Sequence, residues 1–238
     1  MNQNDDGRRA ELAANLVQVR ERIARACTAA GREPGEVTLT AVTKTYPASD
    51  VVLLAGLGVT DVGENKDQEA GAKADVVSAA GATGLRWHFV GQLQRNKARS
   101  VARYADVIES VDSVRLITAL DRASAERTVP LEVLIQVSID GDPDRGGVIE
   151  NDLWGVSEAA ASSPGLRLGG LMAVAPRGWE PDRAFEKLAV LSGRLAARYP
   201  AATTVSAGMS GDLEAAIRHG ATHVRIGTSL LGMRNSLR

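Results

Sequence analysis

Lys44 is the first residue whose type and position predict chemistry. It lies in the segment 40–45 (TAVTKT), which closes an apolar run that begins near Val37 and is stopped by Tyr46 and Pro47. A segment of this pattern places the amine at the carboxyl end of a strand, where parallel α/β proteins bind their ligands. Apolar neighbours would partly desolvate the lysine, which disfavours the ammonium form and favours Schiff-base chemistry. A solvated lysine at a strand end is the plainer alternative.

Two small-residue segments near the carboxyl end of the chain are typical of anion sites. Segment 206–212 (SAGMSGD) follows one strand-like run and precedes a helix that starts near Asp212, and segment 225–228 (RIGT) follows the next run. Small residues let backbone N–H groups face an anion, and barrels often bind phosphate after their last two strands. Either segment alone is compatible with ordinary turns, but together with Lys44 they favour a phosphorylated aldehyde such as pyridoxal 5′-phosphate (PLP).

The elements that must position these residues alternate between strand and helix. The strand-like runs are 37–43, 59–62, 87–90, 107–111, 131–137, 168–174, 203–206 and 222–226. Segments with helical spacing lie between them; in one, residues 184–198, Phe185, Leu188, Leu191 and Leu195 share a face. Eight such units in 238 residues predict a single (β/α)8 TIM barrel. An open doubly wound sheet is the alternative, but no G-x-G-x-x-G follows an early strand.

One domain accounts for the whole chain. Residues 1–7 are expected to form a disordered lead-in, and residues 8–238 to form the barrel with an extra N-terminal helix. In that helix Leu12, Leu16, Val19 and Ile23 fall in line with Cys27, which predicts a buried thiol.

Composition excludes several classes of function. The 28 basic and 29 acidic side chains balance, and aromatic residues make up only 3%, so no nucleic-acid surface is indicated. The polar N-terminus and the lack of a long apolar run indicate a cytoplasmic protein without a signal peptide or membrane span. A single cysteine and three histidines without converging spacing indicate no metal site. No helix face is apolar enough to demand a partner, so we expect a monomer.

The sequence resembles the pyridoxal phosphate homeostasis protein family, whose barrel is related to the N-terminal domain of alanine racemase. The matching segments follow one another over nearly the whole chain, and the tryptophan–histidine segment is highly specific. These segments are 41–45 (AVTKT), 63–65 (GEN), 87–97 (WHFVGQLQRNK), 170–172 (GLM), 206–210 (SAGMS) and 224–228 (VRIGT).

The resemblance implies a role for each matching site residue. Lys44 would hold PLP as an internal aldimine, and Arg225 would contact the pyridine nitrogen. Phosphate contacts are implied for Ser206, Ser210, Gly227 and Thr228. Asn65, Met172 and Met209 would line the cofactor pocket.

Arg225 also bears on catalysis. Arginine stays protonated in proteins, so its guanidinium would keep the pyridine nitrogen unprotonated and make the ring a poor electron sink. Alanine racemase has a second base from another domain, for which this chain has no room after its eighth strand. We therefore expect a non-catalytic carrier that exchanges PLP with apo forms of PLP-dependent enzymes.

Lys66 departs from the family pattern, which usually has an aromatic residue after Glu-Asn. One interpretation makes Lys66 and Asp67 a surface pair at the start of a helix, where Asp67 suits the helix N-terminus. The other makes Lys66 a second amine at the mouth that can accept the aldehyde.

Three other functions stay open at this stage. The chain could be a low-activity PLP-dependent amino-acid racemase, or a Schiff-base aldolase that uses Lys44 with a sugar phosphate. A protein–protein scaffold would leave the lysine and the phosphate segments unexplained.

Overall fold

The computed structural model describes residues 3–142 and 146–232. The strands in these residues are β1 (Thr38–Val42), β2 (Asp61–Glu64), β3 (Arg86–Phe89), β4 (Val107–Val111), β5 (Leu131–Gln136), β6 (Leu166–Met172), β7 (Thr204–Ser206) and β8 (His223–Ile226). They are parallel, they follow one another in chain order, and the pairing of β8 with β1 closes the barrel. The predicted (β/α)8 fold is confirmed, with strand ends shifted by at most two residues.

Helices connect the strands on the outside of the barrel. They are α1 (Gln3–Ala29), α2 (Ala48–Gly56), α3 (Asp67–Ala79), α4 (Ala98–Val101), α5 (Val114–Ala123), α6 (Glu150–Ala161), α7 (Pro181–Arg198), α8 (Leu213–Arg218) and α9 (Thr228–Leu231). Short 3-10 turns occupy Pro34–Glu36 and Arg95–Lys97. Within the part of the chain that is described, no helix has the length and apolar character needed to cross a membrane.

Helix α1 begins earlier than the sequence predicts. It starts at Gln3 rather than Arg8, so residues 3–7 of the expected disordered lead-in are helical, whereas residues 1 and 2 lie outside the described residues. Asp5 and Asp6 favour the helix because acidic side chains interact well with a helix N-terminus. Arg8 then ties this turn to the barrel, since it bonds Asp50 at 2.6 Å and the carbonyl of Leu231 at 2.9 Å. Residues 233–238 of the predicted domain also lie outside the described residues.

The main core fills the space between the barrel and its helices. The predicted stripe of α1 is buried, including Cys27, which is a free and fully buried thiol. The predicted face of α7, from Phe185 to Leu195, is buried as well. These two stripes belong to the two large core clusters that pack the helices against the strands.

Polar side chains occupy much of the barrel interior. Ser206 on β7 bonds Glu109 on β4, and because these strands are not neighbours, the two side chains meet inside the barrel. Val107, Leu134 and Met172 form a separate small apolar cluster of buried residues. The interior therefore combines an apolar plug with a set of buried charges.

Candidate functional site

Barrel closure brings Lys44, Arg225 and the predicted phosphate residues onto three adjacent strands. Lys44 follows β1, β1 pairs with β8, and β8 pairs with β7. The Lys44 side chain is half-buried, and its amine makes no hydrogen bond or ion pair with any described residue. Unlike many lysines at a protein surface, it therefore presents an amine that is not engaged by a carboxylate.

The turns after β7 and β8 carry backbone donors. Within residues 3–142 and 146–232, no hydrogen bond uses the backbone N–H groups of Ser210, Gly211, Gly227, Thr228 and Ser229. Five unpaired donors at the same end of neighbouring strands are a suitable lining for an anion. The predicted phosphate residues Ser210, Gly227 and Thr228 are among them.

Arg225 lies between these turns and the barrel interior. It is 6% exposed, its Nη1 donates to the Ser206 hydroxyl at 2.6 Å, and its Nη2 donates to the carbonyl of Ala173 at 2.9 Å. Burial lowers the pKa of the guanidinium, against the opposing charge of Glu109, 3.6 Å away. Its Nε is the one guanidinium nitrogen without a hydrogen bond to the described residues. The guanidinium is therefore fixed through its two Nη nitrogens, and its Nε–H is left for a ligand.

The Ser206 hydroxyl is fully engaged below the mouth. It donates to Glu109 Oε2 at 2.6 Å and accepts from Arg225. Ser206 is fully buried and its hydroxyl links two charged residues, and its predicted contact with phosphate stays a prediction.

A histidine continues this network through the barrel. His88 bonds Glu109 through Nδ1 at 2.7 Å and Asp61 through Nε2 at 2.9 Å. Burial disfavours the imidazolium, but the two carboxylates outweigh it and raise the pKa of His88 to about 9. Burial likewise opposes ionisation of Glu109, yet His88 and Arg225 lower its pKa to about 2. The interior thus holds a continuous series of charges, which are Asp61, His88, Glu109 and Arg225.

The remaining predicted pocket residues differ in exposure. Asn65 follows β2 and has a buried Oδ1 without a hydrogen-bond partner in the described residues. Met172 is 2% exposed and packs inside the barrel, whereas Met209 is 41% exposed. The Met209 N–H is not free, since it bonds Asp212 at 2.6 Å. Contacts of all three with a cofactor stay predictions.

Lys66 lies at the N-terminus of α3 with an exposed side chain. Asp67 is the first residue of this helix, as expected for an acidic residue at that position. Lys66 and Asn65 line a cleft of about 470 Å³, together with Phe89 and Lys97. Lys97, rather than Lys66, approaches Asp67, at 3.7 Å. Among the described residues, the Lys66 amine has no ion-pair partner.

Several residues around the site were not identified from the sequence. Glu109 lies in a strand whose other residues are mostly apolar, and a charge inside such a strand is the signal that could have found it. Asp61 is the first residue of β2, which has no such pattern. Glu64, within the matching segment 63–65, is fully buried and bonds Lys73 of α3 at 2.6 Å. In the described residues no group of three or more His, Cys, Asp or Glu side chains is arranged to hold a metal ion.

The fold and the position of the site identify the class of protein. The family model described as the alanine racemase N-terminal domain matches residues 12–235, which is almost the entire chain. This is a barrel in which a lysine after β1 and turns after β7 and β8 share one mouth.

Relatives then identify the family. The pyridoxal phosphate homeostasis protein of Mycobacterium tuberculosis is 46% identical over 95% of this chain and 94% of its own length. That of Escherichia coli is 42% identical over 94% of this chain and 97% of its own. A structure of PipY from Synechococcus elongatus with PLP bound is 31% identical, with a TM-score of 0.80, and covers 93% of this chain and 100% of that one. The chain therefore belongs to the pyridoxal phosphate homeostasis protein family.

The buried His88 makes stability depend on pH. Its folded pKa of about 9 lies above the ordinary 6.5, so the stabilisation is complete below about pH 6.5 and is lost as the pH rises through 9. We expect the free energy of unfolding to fall over this interval by up to roughly 3 kcal/mol from this group. Urea unfolding of the parent at several pH values measures the fall.

His88→Gln is the matched comparison for this pH dependence. The variant will be less stable at pH 6.5, because it leaves Asp61 and Glu109 without a cation between them, and it will show a smaller fall toward pH 9. An equally steep fall in parent and variant would mean that other groups carry the pH dependence.

Proposed function

We propose that this chain binds PLP as a Schiff base on Lys44 and takes part in cytoplasmic PLP homeostasis by holding the cofactor and passing it to apo-enzymes. One observation carries the proposal. A free amine, a fixed guanidinium and unpaired backbone N–H groups lie on three adjacent strands at one barrel mouth. An aldehyde, a ring nitrogen and a phosphate are the groups that match them. PipY, which has the same fold, has been solved with PLP bound.

The residues divide the binding of PLP among them. The unprotonated Lys44 amine adds to the aldehyde carbon, and a C=N bond takes the place of the C=O bond as one water leaves. Ser210, Gly227 and Thr228 offer N–H groups to the phosphate, while Asn65, Met172 and Met209 complete the pocket. Because the Ser206 hydroxyl is already bonded on both sides, we propose that it orients Arg225 and leaves the phosphate to Ser210.

Arg225 favours binding of PLP over catalysis with PLP. PLP supplies carbanion stabilisation when its ring nitrogen is protonated. Arg225 remains a cation beside Glu109 and offers its Nε–H to that nitrogen, so the nitrogen stays unprotonated. We therefore propose that the chain acts as a monomeric carrier without efficient catalysis. A racemase of low activity is the alternative that a direct assay must test.

Removal of Lys44 should abolish covalent binding. After incubation with PLP and desalting, we expect the parent to keep a visible Schiff-base absorption band and Lys44→Ala to lose it. Lys66→Ala is the matched control, because Lys66 is another unpaired amine near the same mouth, and it should keep the band.

Each departure from this result has a distinct meaning. Absence of the band in the parent would contradict PLP binding and favour a Schiff-base aldolase on the same fold. A band that survives in Lys44→Ala would indicate a second amine. Borohydride reduction followed by peptide mapping of the parent tests Lys66 directly, since label found only on the Lys44 peptide excludes Lys66.

Direct delivery predicts that PLP passes from the loaded protein to an enzyme without first dissociating into solution. The PLP-loaded protein is mixed with the apo form of a PLP-dependent enzyme, and recovery of enzyme activity is followed with time. We expect recovery to be faster than the rate at which the loaded protein releases PLP to a chemical trap. Recovery at the release rate would count against direct delivery and would leave storage as the function.

The absence of efficient catalysis predicts slow exchange at the α-carbon. With the loaded protein in D2O, we expect NMR to detect no more exchange of amino-acid α-hydrogens than the same concentration of free PLP produces. Exchange well above that of free PLP, for any of several amino acids tried, would favour the racemase.

A further inference from the structure

Lys44 lies in a tight turn with an unusual backbone. The N–H of Tyr46 donates to the carbonyl of Thr43 at 3.1 Å, so Lys44 and Thr45 are the two central residues of a four-residue turn. Thr45 has φ 69°, which is the one positive φ at a non-glycine residue in the described part of the chain. A β-branched residue is strained in this region, so contacts outside the turn must hold it there.

Three charged residues supply these contacts, and we name them the Lys73 clamp: Glu64 on β2, and Glu69 and Lys73 on α3. The Lys73 ammonium donates to the Thr43 carbonyl at 2.8 Å, to Glu64 at 2.6 Å and to Glu69 at 3.3 Å. All three of its N–H groups thus have acceptors. Lys73 is only 5% exposed and Glu64 is fully buried.

The clamp contacts the chain on both sides of Lys44. On the near side, the Thr43 hydroxyl donates to Glu64 at 2.7 Å, and the Thr43 carbonyl accepts from Lys73. On the far side, the Thr45 N–H donates to Glu69. The residue before the lysine and the residue after it are therefore bound by one connected set of charges, whereas the lysine amine itself is not bound.

Attachment of α3 to the barrel does not require these charges. Ala70 and Val77 of the same helix are buried against the sheet, and an apolar side chain at position 73 would extend that contact. Burial raises the pKa of Glu64 even with Lys73 beside it, which reflects the desolvation of the pair. For attachment of the helix alone, apolar residues could replace this buried ion pair. We therefore explain the pair by the need to fix the structure that it contacts, which is the Lys44 turn.

We propose that Glu64, Glu69 and Lys73 are positioning residues that hold the Lys44 turn in the conformation from which its amine reaches the aldehyde. This inference rests on the proposed function of Lys44. The clamp then supports formation of the covalent bond to Lys44, whereas Arg225 and the turns after β7 and β8 supply the non-covalent contacts with PLP. The clamp lies on the helix side of β2, away from the charges inside the barrel, so its loss should leave those contacts intact.

The test compares two ligands that differ at the reacting carbon. PLP carries an aldehyde there, and pyridoxine 5′-phosphate carries an alcohol that cannot form a Schiff base. The full chain is freed of ligand by hydroxylamine treatment followed by dialysis and is titrated with each, by absorbance for PLP and by calorimetry for both. The variants are Lys73→Met and Glu69→Ala, and Lys187→Met is the control, since Lys187 likewise bonds a backbone carbonyl after a strand, that of Ile139 at 2.7 Å.

We expect both clamp variants to lose affinity for PLP by roughly tenfold, because misplacing the amine costs about the value of one charged hydrogen bond. Their affinity for pyridoxine 5′-phosphate should equal that of the parent, and Lys187→Met should bind both ligands normally. If Lys73→Met fails to fold because Glu64 is left unpaired, Glu69→Ala, which keeps that pair, decides the question alone.

Two results would overturn the inference, and they differ from failure of the proposed function. Equal losses for both ligands would show that the clamp has only a general structural role, and no loss for either would show that it does not position Lys44. In both cases the parent would still form its band and Lys44→Ala would not. A parent without a band would instead overturn the proposed function itself.

Discussion

Closure of the barrel is the constraint on which the candidate site depends. Lys44 and Arg225 are separated by most of the chain, yet they become neighbours because β8 pairs with β1 through residues such as Thr40 and Arg225. A sheet left open between these strands would keep the same local sequences and have no site. The register of this one pairing also sets the height of the lysine relative to the turns after β7 and β8. The long-range contacts of α1, including Arg8 with Asp50 and Leu231, cover the same part of the barrel.

Two charge networks support this junction from opposite faces of the sheet. Inside the barrel, Glu109 and Ser206 fix Arg225, with His88 behind them. On the helix side, Lys73 and its two glutamates bind the backbone around Lys44. Strand β2 contributes to both, since Asp61 bonds His88 and Glu64 bonds Lys73. Odd and even positions of a strand face opposite sides, so residues 61 and 64 serve different networks. Lys44 and Arg225 are in this way supported independently.

The fold could be predicted from the sequence to a large extent, because periodicity and strand–helix alternation are local properties. All eight strands and the buried faces of α1 and α7 were found in this way. The same reasoning placed Lys44, Arg225 and the small-residue turns at one mouth. It did not find the partners of these residues, since Glu109, Lys73 and Glu69 have no local signal that names what they contact. It also did not give the partners of the Ser206 hydroxyl, because hydrogen-bond partners do not follow from strand order. The start of α1 at Gln3 was missed because its first turn has no apolar stripe and is stabilised by the acidic residues and by Arg8.

The order of charges inside the barrel gives the molecule an axial polarity. Asp61, His88, Glu109 and Arg225 alternate in sign, so the four together carry no net charge when His88 is protonated. Their arrangement is nevertheless directional, since it begins with a carboxylate at the amino end of β2 and finishes with a guanidinium near the carboxyl end of β8. A neutral series of this kind produces a field that fades quickly with distance and is positive close to its cationic end. An anion would feel little attraction in open solution and a strong one once it had entered the mouth, so the barrel would select by local fit more than by long-range steering.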